Sequence, residues 1–268
     1  MSTNTLKAPV TKTRGLPTKR IIPLFLLKGE RLAKGTNFRD FTDVGDPVSQ
    51  GMVFDAQGAE EIAIVDITAS SENRLIPSAV INSMITKCKL PIAAGGGIKT
   101  VDDARECFHA GADKIIINTF AVLTPQLVSD MASEFGSQSV LVSLDVKRNQ
   151  KGEYRAFVYS GTREVETPLL ELIEMLIDRG AGELMVTSID REGTLSGLDL
   201  ELYELLRDRV SVPLIASGGA GSYDHLVNLF KTTDCDAVAL GKMLFLRDYD
   251  IVRIKSYLLG RHVTVREA

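Results

Sequence analysis

The second half of this chain repeats the first, and this repeat constrains the fold more than any other feature of the sequence. Glu61-Ile-Ala-Ile-Val-Asp-Ile-Thr68 aligns with Glu183-Leu-Met-Val-Thr-Ser-Ile-Asp190, and Pro91-Ile-Ala-Ala-Gly-Gly-Gly97 aligns with Pro213-Leu-Ile-Ala-Ser-Gly-Gly219. Both pairs are 122 positions apart. Because a long-period repeat reflects a repeated structural unit, the sequence predicts two equivalent halves, at about 19–136 and 137–268.

Two further pairs follow the same order along the chain. Asp113 opens a segment that resembles the one opened by Asp236, and Ile21-Ile-Pro-Leu-Phe-Leu-Leu-Lys28 resembles Val140-Leu-Val-Ser-Leu-Asp-Val-Lys147. In the last pair Asp145 stands near the end of an apolar run, whereas the matching position in the first half is Leu26. One copy therefore carries an acid that the other lacks.

Apolar segments alternate with amphipathic ones from residue 19 onward. Eight predicted strands, rich in Val, Ile and Leu, occupy about 20–26, 61–67, 91–95, 113–118, 139–145, 183–188, 212–216 and 236–240. The predicted helices begin near Asp46, Ile76, Val101, Pro125, Pro168, Asp199, Ser222 and Asp248. Such strands, separated by helices, indicate a parallel sheet covered on both faces. Eight units in two halves predict a single (β/α)8 TIM barrel over 19–268; an open doubly wound sheet would leave the repeat unexplained.

Composition narrows the class of partner. The net charge of −4 gives no general basic surface, so nucleic acid is not expected. The three cysteines lack metal-ligand spacing and favour reduced thiols in the cytoplasm. No apolar run reaches the roughly 18 residues of a membrane-spanning helix. The histidines have no second ligand at zinc spacing, so no metal is expected. The sequence has no nucleotide-binding fingerprint, so no nucleotide cofactor is expected.

The first eighteen residues contain Lys7, Lys12 and Arg14 but no acid. This composition predicts a disordered extension, with a transit peptide as the alternative.

Barrel enzymes bind their substrates at the C-terminal ends of the strands. In this chain glycine runs follow the third and seventh predicted strands, at Gly95-Gly-Gly97 and Gly218-Gly219. Backbone N–H groups in such loops, next to the start of a helix, can bind phosphate. A glycine pair alone is more often a tight turn, but matched positions in both halves indicate two phosphate sites and a substrate phosphorylated at both ends.

Several motifs carry a family resemblance, from Lys19 to about Glu267. They are Lys34-Gly-Thr-Asn-Phe38, Asp66-Ile-Thr-Ala-Ser70, Gly95-Gly-Gly-Ile98, Asn118-Thr119, Phe135-Gly-Ser-Gln138, Thr187-Ser-Ile-Asp-Arg-Glu-Gly-Thr194 and Ala216-Ser-Gly-Gly-Ala-Gly221. Together they resemble the cyclase subunit of imidazole glycerol phosphate synthase. The resemblance implies a heterodimer with a glutaminase subunit, whose ammonia crosses the barrel and attacks a ribulosyl bisphosphate.

The resemblance also implies the site residues. Contacts to substrate and phosphate would come from Lys34, Asp66, Gly96, Gly97, Asn118, Thr119, Thr187, Asp190, Gly193, Ser217, Gly218, Gly219 and Gly241. The family mechanism uses two aspartates, because the reaction needs protons supplied and removed near the substrate. Asp145 matches the second aspartate, whereas Leu26 replaces the first. Asp66 either orients a substrate amide or only bonds its own loop, and Glu192 stands where the family usually has aspartate.

At the opposite end of the barrel, four charged residues open strands and match the family's ammonia gate: Arg20, Glu61, Lys114 and Glu183. We call them the basal ring. The alternative is a set of exposed ion pairs that contribute little. If the basal ring is the family's ammonia gate, Asp113 lies near the face that binds the glutaminase.

The residues of the ammonia gate are all present, whereas Leu26 replaces an acid at the C-terminal ends of the strands, which we call the mouth of the barrel. This combination resembles a paralogous branch of the family, found with surface-polysaccharide genes, that passes ammonia to a separate sugar amidotransferase. The first hypothesis is therefore an ammonia-channelling subunit whose acceptor is such an amidotransferase. The second is a genuine cyclase in which Glu30 or a water replaces the missing acid. Two others are a barrel with an unrelated phosphosugar substrate and a binding module without enzymatic activity.

Overall fold

The computed structural model describes residues 18–246 and 249–268, in which eight parallel strands close into a barrel. In chain order they are β1 (Arg20–Lys28), β2 (Ile62–Asp66), β3 (Ile92–Gly95), β4 (Lys114–Ile117), β5 (Val140–Arg148), β6 (Glu183–Ser188), β7 (Leu214–Ser217) and β8 (Ala237–Leu240). Each strand pairs with the next, and β8 pairs with β1. The predicted (β/α)8 barrel is confirmed.

Ten α-helices accompany the strands in the described residues. They are α1 (Pro47–Ala56), α2 (Ser78–Lys87), α3 (Val101–His109), α4 (Thr119–Leu123), α5 (Gln126–Phe135), α6 (Leu169–Asp178), α7 (Leu200–Leu206), α8 (Tyr223–Thr232), α9 (Lys242–Leu246) and α10 (Ile251–Gly260). Side chains cap several of them; Thr100, for example, forms a capping box with Asp103 at the start of α3. None of the helices in the described ranges is long and apolar enough to cross a membrane.

The predicted helix starts from Asp46 to Ser222 agree with these bounds within two residues. The start predicted near Asp248 falls on a position outside the described residues, as does nearly all of the predicted N-terminal extension.

Two β-hairpins were not predicted from the sequence, one after the first strand of each half. Arg31–Thr36 pairs with Arg39–Gly45 after β1, and Tyr154–Val158 pairs with Arg163–Glu164 after β5. Their tips contain residues with positive φ, including Phe38 at 62° and Tyr159 at 51°. The tips approach each other, since a Cβ placed on Gly161 would lie 3.3 Å from the Phe38 ring. The hairpins therefore overhang the C-terminal end of the barrel from both halves.

The apolar side chains form two layers. The larger layer fills the space between the strands and the helices. The smaller layer lies inside the barrel and includes Ile22, Leu24, Leu26, Ile116 and Met185. Because successive residues of a strand face opposite sides, Leu24 and Leu26 point inward whereas Phe25 and Leu27 belong to the outer layer.

Candidate active site

A cavity of about 230 Å³ opens at the C-terminal ends of the strands. Its apolar lining includes Leu24, Leu26, Phe41, Ile67 and Met185. Its polar lining includes Asp66, Gly96, Gly97, Asn118, Thr119, Ser143, Asp145, Thr187 and Glu192. The cavity can therefore hold a ligand that has both polar and apolar parts.

Asp145 is the acid that β5 delivers to this cavity. Its side chain is buried, with 9% of the residue exposed. Asn118 donates a hydrogen bond from Nδ2 to Oδ2 of Asp145 at 2.9 Å. Burial raises the pKa of Asp145 to about 7, against the opposing effect of the Asn118 hydrogen bond and with a smaller contribution from the charge of Glu192. A carboxyl with such a pKa can donate or accept a proton near neutral pH.

Leu26 lines the same cavity from β1, which lies four strands from β5 in either direction around the barrel. The side chain also packs in the inner apolar layer. The acid nearest to it in sequence, Glu30, is exposed at the start of the first hairpin and does not line the cavity. Strand β1 thus contributes no ionisable carboxyl to the cavity.

Glu192 is a functional candidate that the sequence analysis did not assign to the substrate contacts. Only 8% of it is exposed, and it lines the cavity from the loop after β6. Burial raises the pKa of Glu192, while the charges of Lys34 and Lys242 lower it. The backbone fixes the residue, because Asn37 N donates to the Glu192 carbonyl at 2.9 Å. The sequence signals were its place in the Thr187–Thr194 motif and the aspartate that the family usually has at this position.

Asp66 shapes its own loop. Its Oδ1 accepts hydrogen bonds from the backbone N–H groups of Thr68 (3.0 Å) and Ala69 (3.1 Å), and its Oδ2 pairs with Arg74 at 2.5 Å. Both carboxylate oxygens of Asp66 are therefore engaged by residues of its own loop. Of the two roles considered for Asp66, loop bonding is the one that these contacts support.

The glycine loop of the first half borders the cavity. Gly97 has φ of 75°, and a Cβ at this position would overlap the Arg74 carbonyl oxygen. Only glycine fits that combination.

Thr119, at the start of α4, accepts a hydrogen bond on Oγ1 from Tyr159 N at 3.3 Å, which joins the second hairpin to the first-half loops.

The glycine loop of the second half lies outside the cavity lining. Gly218 and Gly219 have φ of 94° and 99°. Ser217 is fully buried, and its Oγ has no hydrogen-bond partner in the described part of the chain. The Tyr203 hydroxyl braces this strand end, accepting from Ser217 N at 3.0 Å and donating toward the carbonyls of Ser217 and Val186.

Lys34 is buried between β1 and β8. Its Nζ donates to the Leu24 carbonyl at 2.5 Å and lies 5.0 Å from the centre of the Phe245 ring. Burial lowers the pKa of Lys34 to about 8. A Cβ added at Gly241 would lie 2.9 Å from this Nζ, so the lysine occupies the space beside that glycine. Next to it, Lys242 Nζ donates to Thr36 Oγ1 at 2.8 Å.

The loop after β6 packs against the first hairpin. A Cβ on Gly193 would overlap the Gly35 carbonyl oxygen, so the two backbones are in close contact. Asp190 is exposed, and its Oδ2 accepts from Arg148 N at 3.0 Å, which ties this loop to the end of β5. From this loop and the end of β6, Thr187 and Glu192 reach the cavity, whereas Asp190 and Gly193 do not line it.

At the opposite end of the barrel, the four residues of the basal ring form one connected set of ion pairs. Arg20 Nη1 lies 2.8 Å from Glu61 Oε1 and 3.2 Å from Glu183 Oε1. Lys114 Nζ lies 2.8 Å from Glu61 Oε2 and 3.2 Å from Glu183 Oε1. Each cation therefore bridges both carboxylates, and charges of opposite sign alternate around this end of the barrel.

Comparison with known proteins identifies the family. A family model described as histidine biosynthesis protein matches residues 20–250. Imidazole glycerol phosphate synthase subunit HisF of Alkaliphilus metalliredigens is 39% identical over 249 residues, covering 93% of this chain and 99% of that protein. The chain belongs to the HisF family. HisF subunits of Leuconostoc mesenteroides and Methanococcus vannielii are 40% and 38% identical and cover 92% and 93% of this chain, which spans 98% and 99% of those proteins.

Within this HisF-family barrel, the expected site residues fall into two groups. The cavity collects Asp66, Gly96, Gly97, Asn118, Thr119, Asp145 and Thr187. The expected contacts that do not line it are Lys34, Asp190, Gly193, Ser217, Gly218, Gly219 and Gly241. No group of three or more His, Cys, Asp or Glu side chains in residues 18–246 and 249–268 is arranged to hold a metal ion.

Proposed function

We propose that this HisF-family chain receives ammonia from a glutaminase subunit at the N-terminal end of its barrel and conducts it to the cavity at the other end. The observation that carries the proposal is the basal ring, in which Arg20 and Lys114 each bridge Glu61 and Glu183. The relatives are named as subunits of imidazole glycerol phosphate synthase, which supports a partner protein.

The interior above the ring suits a neutral molecule. The inner layer combines small side chains, Ala63, Ala93, Ala237 and Ala239, with larger aliphatic ones. An ion entering such a lining would lose its hydration without compensation, whereas neutral ammonia would not. The charged ring and the apolar interior together favour passage of ammonia over passage of ammonium.

The first candidate for the ammonia acceptor is a separate sugar amidotransferase. Leu26 supports it, because the cavity lacks an acid on β1 and its wall there is apolar. In this case the phosphorylated substrate of the cyclisation reaction would not turn over, and ammonia would leave the mouth of the barrel for a downstream enzyme.

The second candidate is cyclisation within the mouth, with a ribulosyl bisphosphate as the substrate and the two phosphates held by the glycine loops. Three buried carboxyls line the cavity. Asp66 is engaged by Arg74 and its own loop, and the other two, Asp145 and Glu192, favour this candidate. Paired acids are what the proton transfers of imine formation and ring closure require.

One assay separates the two candidates. The purified chain is supplied with the ribulosyl bisphosphate and an ammonium salt, so that no glutaminase is needed, and the release of aminoimidazole carboxamide ribotide is measured. Turnover that is lost in Asp145→Asn supports cyclisation. A silent chain that still binds and stimulates a glutaminase supports delivery to a separate amidotransferase, and a chain that does neither contradicts the proposed function.

A further inference from the structure

We propose that Glu192 is the second proton-transferring carboxyl of the mouth and replaces the acid that β1 lacks at Leu26. This inference rests on the cyclisation candidate above. It assigns Asp145 and Glu192 as a working pair on adjacent structural units, the end of β5 and the loop after β6.

The carboxyls of Asp145 and Glu192 line the same cavity and are buried to the same extent. Asp145 is 9% exposed and Glu192 is 8% exposed, and both line the cavity. The charge of Glu192 also acts on Asp145, because ionised Glu192 disfavours ionisation of Asp145. The other two acids near the mouth differ: Glu30 is exposed, and the Asp66 carboxylate is held by Arg74 and its own loop.

The Glu192 carboxylate is available for chemistry. No described residue donates a hydrogen bond to it, and apart from burial it experiences the charges of Lys34 and Lys242. The backbone around it is nevertheless fixed, because Glu192 N donates to the Ser188 carbonyl at 2.9 Å and Asn37 N donates to the Glu192 carbonyl. A held backbone with an unengaged head group is the arrangement expected of a group that acts on a ligand.

The surroundings give the two acids different roles. Burial opposes ionisation of both carboxyls, and the charge of Glu192 further disfavours ionisation of Asp145. Asn118 favours the ionised form of Asp145, and the two lysines favour the ionised form of Glu192. Two interacting carboxyls in such a site titrate as a pair and can hold a single proton between them. At neutral pH one member can then act as the acid while the other acts as the base.

This pairing balances the first chemical step. Ammonia attacks the substrate carbonyl carbon and forms the C–N bond; the protonated carboxyl gives its proton to the carbonyl oxygen, and the carboxylate takes a proton from the nitrogen. The resulting carbinolamine loses water when the newly protonated carboxyl returns its proton to the departing hydroxyl, while the other carboxylate removes a second proton from the nitrogen. An imine and water are formed, and the pair regains its starting protonation.

The test is the ammonium-driven assay on the whole chain carrying Glu192→Gln. We expect kcat to fall by at least a hundredfold and KM to stay within about threefold. An acid and a base give a bell-shaped pH–rate profile with two limbs, and the variant should lose one of them. A purely structural role of Glu192 would not remove a limb selectively. Glu30→Gln, which changes an exposed acid, is the matched control and should leave kcat unchanged.

Two further variants keep the test decisive if Glu192→Gln folds poorly. The double variant Leu26→Asp/Glu192→Gln should regain at least tenfold of the lost kcat, because it returns an acid to the cavity from β1. Glu192→Asp should keep both limbs at a lower rate. The proposal is overturned if Glu192→Gln retains wild-type kcat or if the wild-type chain does not turn over with ammonium. A failure of ammonia conduction looks different, since it abolishes glutamine-driven turnover and spares ammonium-driven turnover.

Discussion

Asp113 and Asp236, 123 positions apart, make the same hydrogen bond in the two halves of the barrel. Asp113 Oδ2 accepts from Ile92 N at 2.8 Å, and Asp236 Oδ2 accepts from Leu214 N at 2.9 Å. Each aspartate precedes one strand and holds the first residue of the strand before it. The sequence repeat is therefore also a repeat of individual contacts.

This relationship provides a matched pair for the proposed docking face. Asp113→Ala and Asp236→Ala should each lower the free energy of unfolding by about 1–3 kcal/mol, because each leaves a backbone N–H without its charged acceptor. If Asp113 contacts the glutaminase, only Asp113→Ala should also weaken binding of that subunit. Denaturant unfolding and titration with the partner measure the two effects, and equal loss of binding in both variants would contradict the assignment.

The basal ring predicts a separation of two activities. Lys114→Met removes one of the two cations that bridge Glu61 and Glu183. We expect stability to fall by about 1–3 kcal/mol, because the carboxylates lose a partner. Transfer of ammonia from the glutaminase to the acceptor, measured as acceptor turned over per glutamine hydrolysed, should fall at least tenfold. Any ammonium-driven turnover should stay within about twofold of the wild-type rate.

Arg105→Met is the control for that variant. Arg105 pairs with Glu134 and Asp102 on the surface, where an ion pair contributes about 1 kcal/mol or less. This variant should leave coupling unchanged. Loss of coupling in both variants would show that the effect comes from general destabilisation.

The pKa of Asp145 predicts a pH-dependent gain of stability in Asp145→Asn. The folded pKa of about 7 lies above the ordinary value of 3.8. The folded state therefore binds more protons than the unfolded state between these values, so wild-type stability falls as pH rises through this window. Asparagine does not titrate, and the variant should gain about 1–4 kcal/mol relative to wild type at about pH 8.

Little of this gain should remain at about pH 4, where Asp145 is mostly protonated in the folded chain. Denaturant unfolding at the two pH values measures the difference between variant and wild type. A gain of the same size at both values would mean that Asp145 does not carry the shifted pKa.

The pKa of Lys34 predicts the opposite dependence of stability on pH. Its folded pKa of about 8 lies below the ordinary value of 10.5, so wild-type stability should rise as pH rises from about 8 to about 10. Lys34→Met removes the cost of a buried charge, and it should unfold at the same or a higher temperature than wild type at about pH 7. If Lys34 binds substrate phosphate, inorganic phosphate should bind at least tenfold more weakly to this variant, as calorimetric titration would show.

The sequence predicted the barrel because its strands are buried on both faces and read as runs of Val, Ile and Leu. It could not predict the hairpins, since Arg39–Gly45 is mostly polar and exposed and owes its conformation to pairing with Arg31–Thr36. Asp145 was predictable as the acid at the end of an apolar run. Glu192 was predictable only as part of the loop 190–193 that lies over the substrate. The contact of this loop with the first hairpin at Gly193 was not, because the hairpin itself was not predicted.

Leu26→Asp tests directly what β1 lacks. The substitution replaces a leucine of the inner layer by a buried acid, so stability should fall by about 2–5 kcal/mol. If the cavity is competent for cyclisation and Glu192 does not already supply the second acid, ammonium-driven turnover should rise at least tenfold. Leu26→Asn, equally polar but unable to ionise, should lose similar stability without the gain in turnover. Turnover that is undetectable in the wild type and in both variants would mean that the substrate site itself has diverged from that of the cyclase.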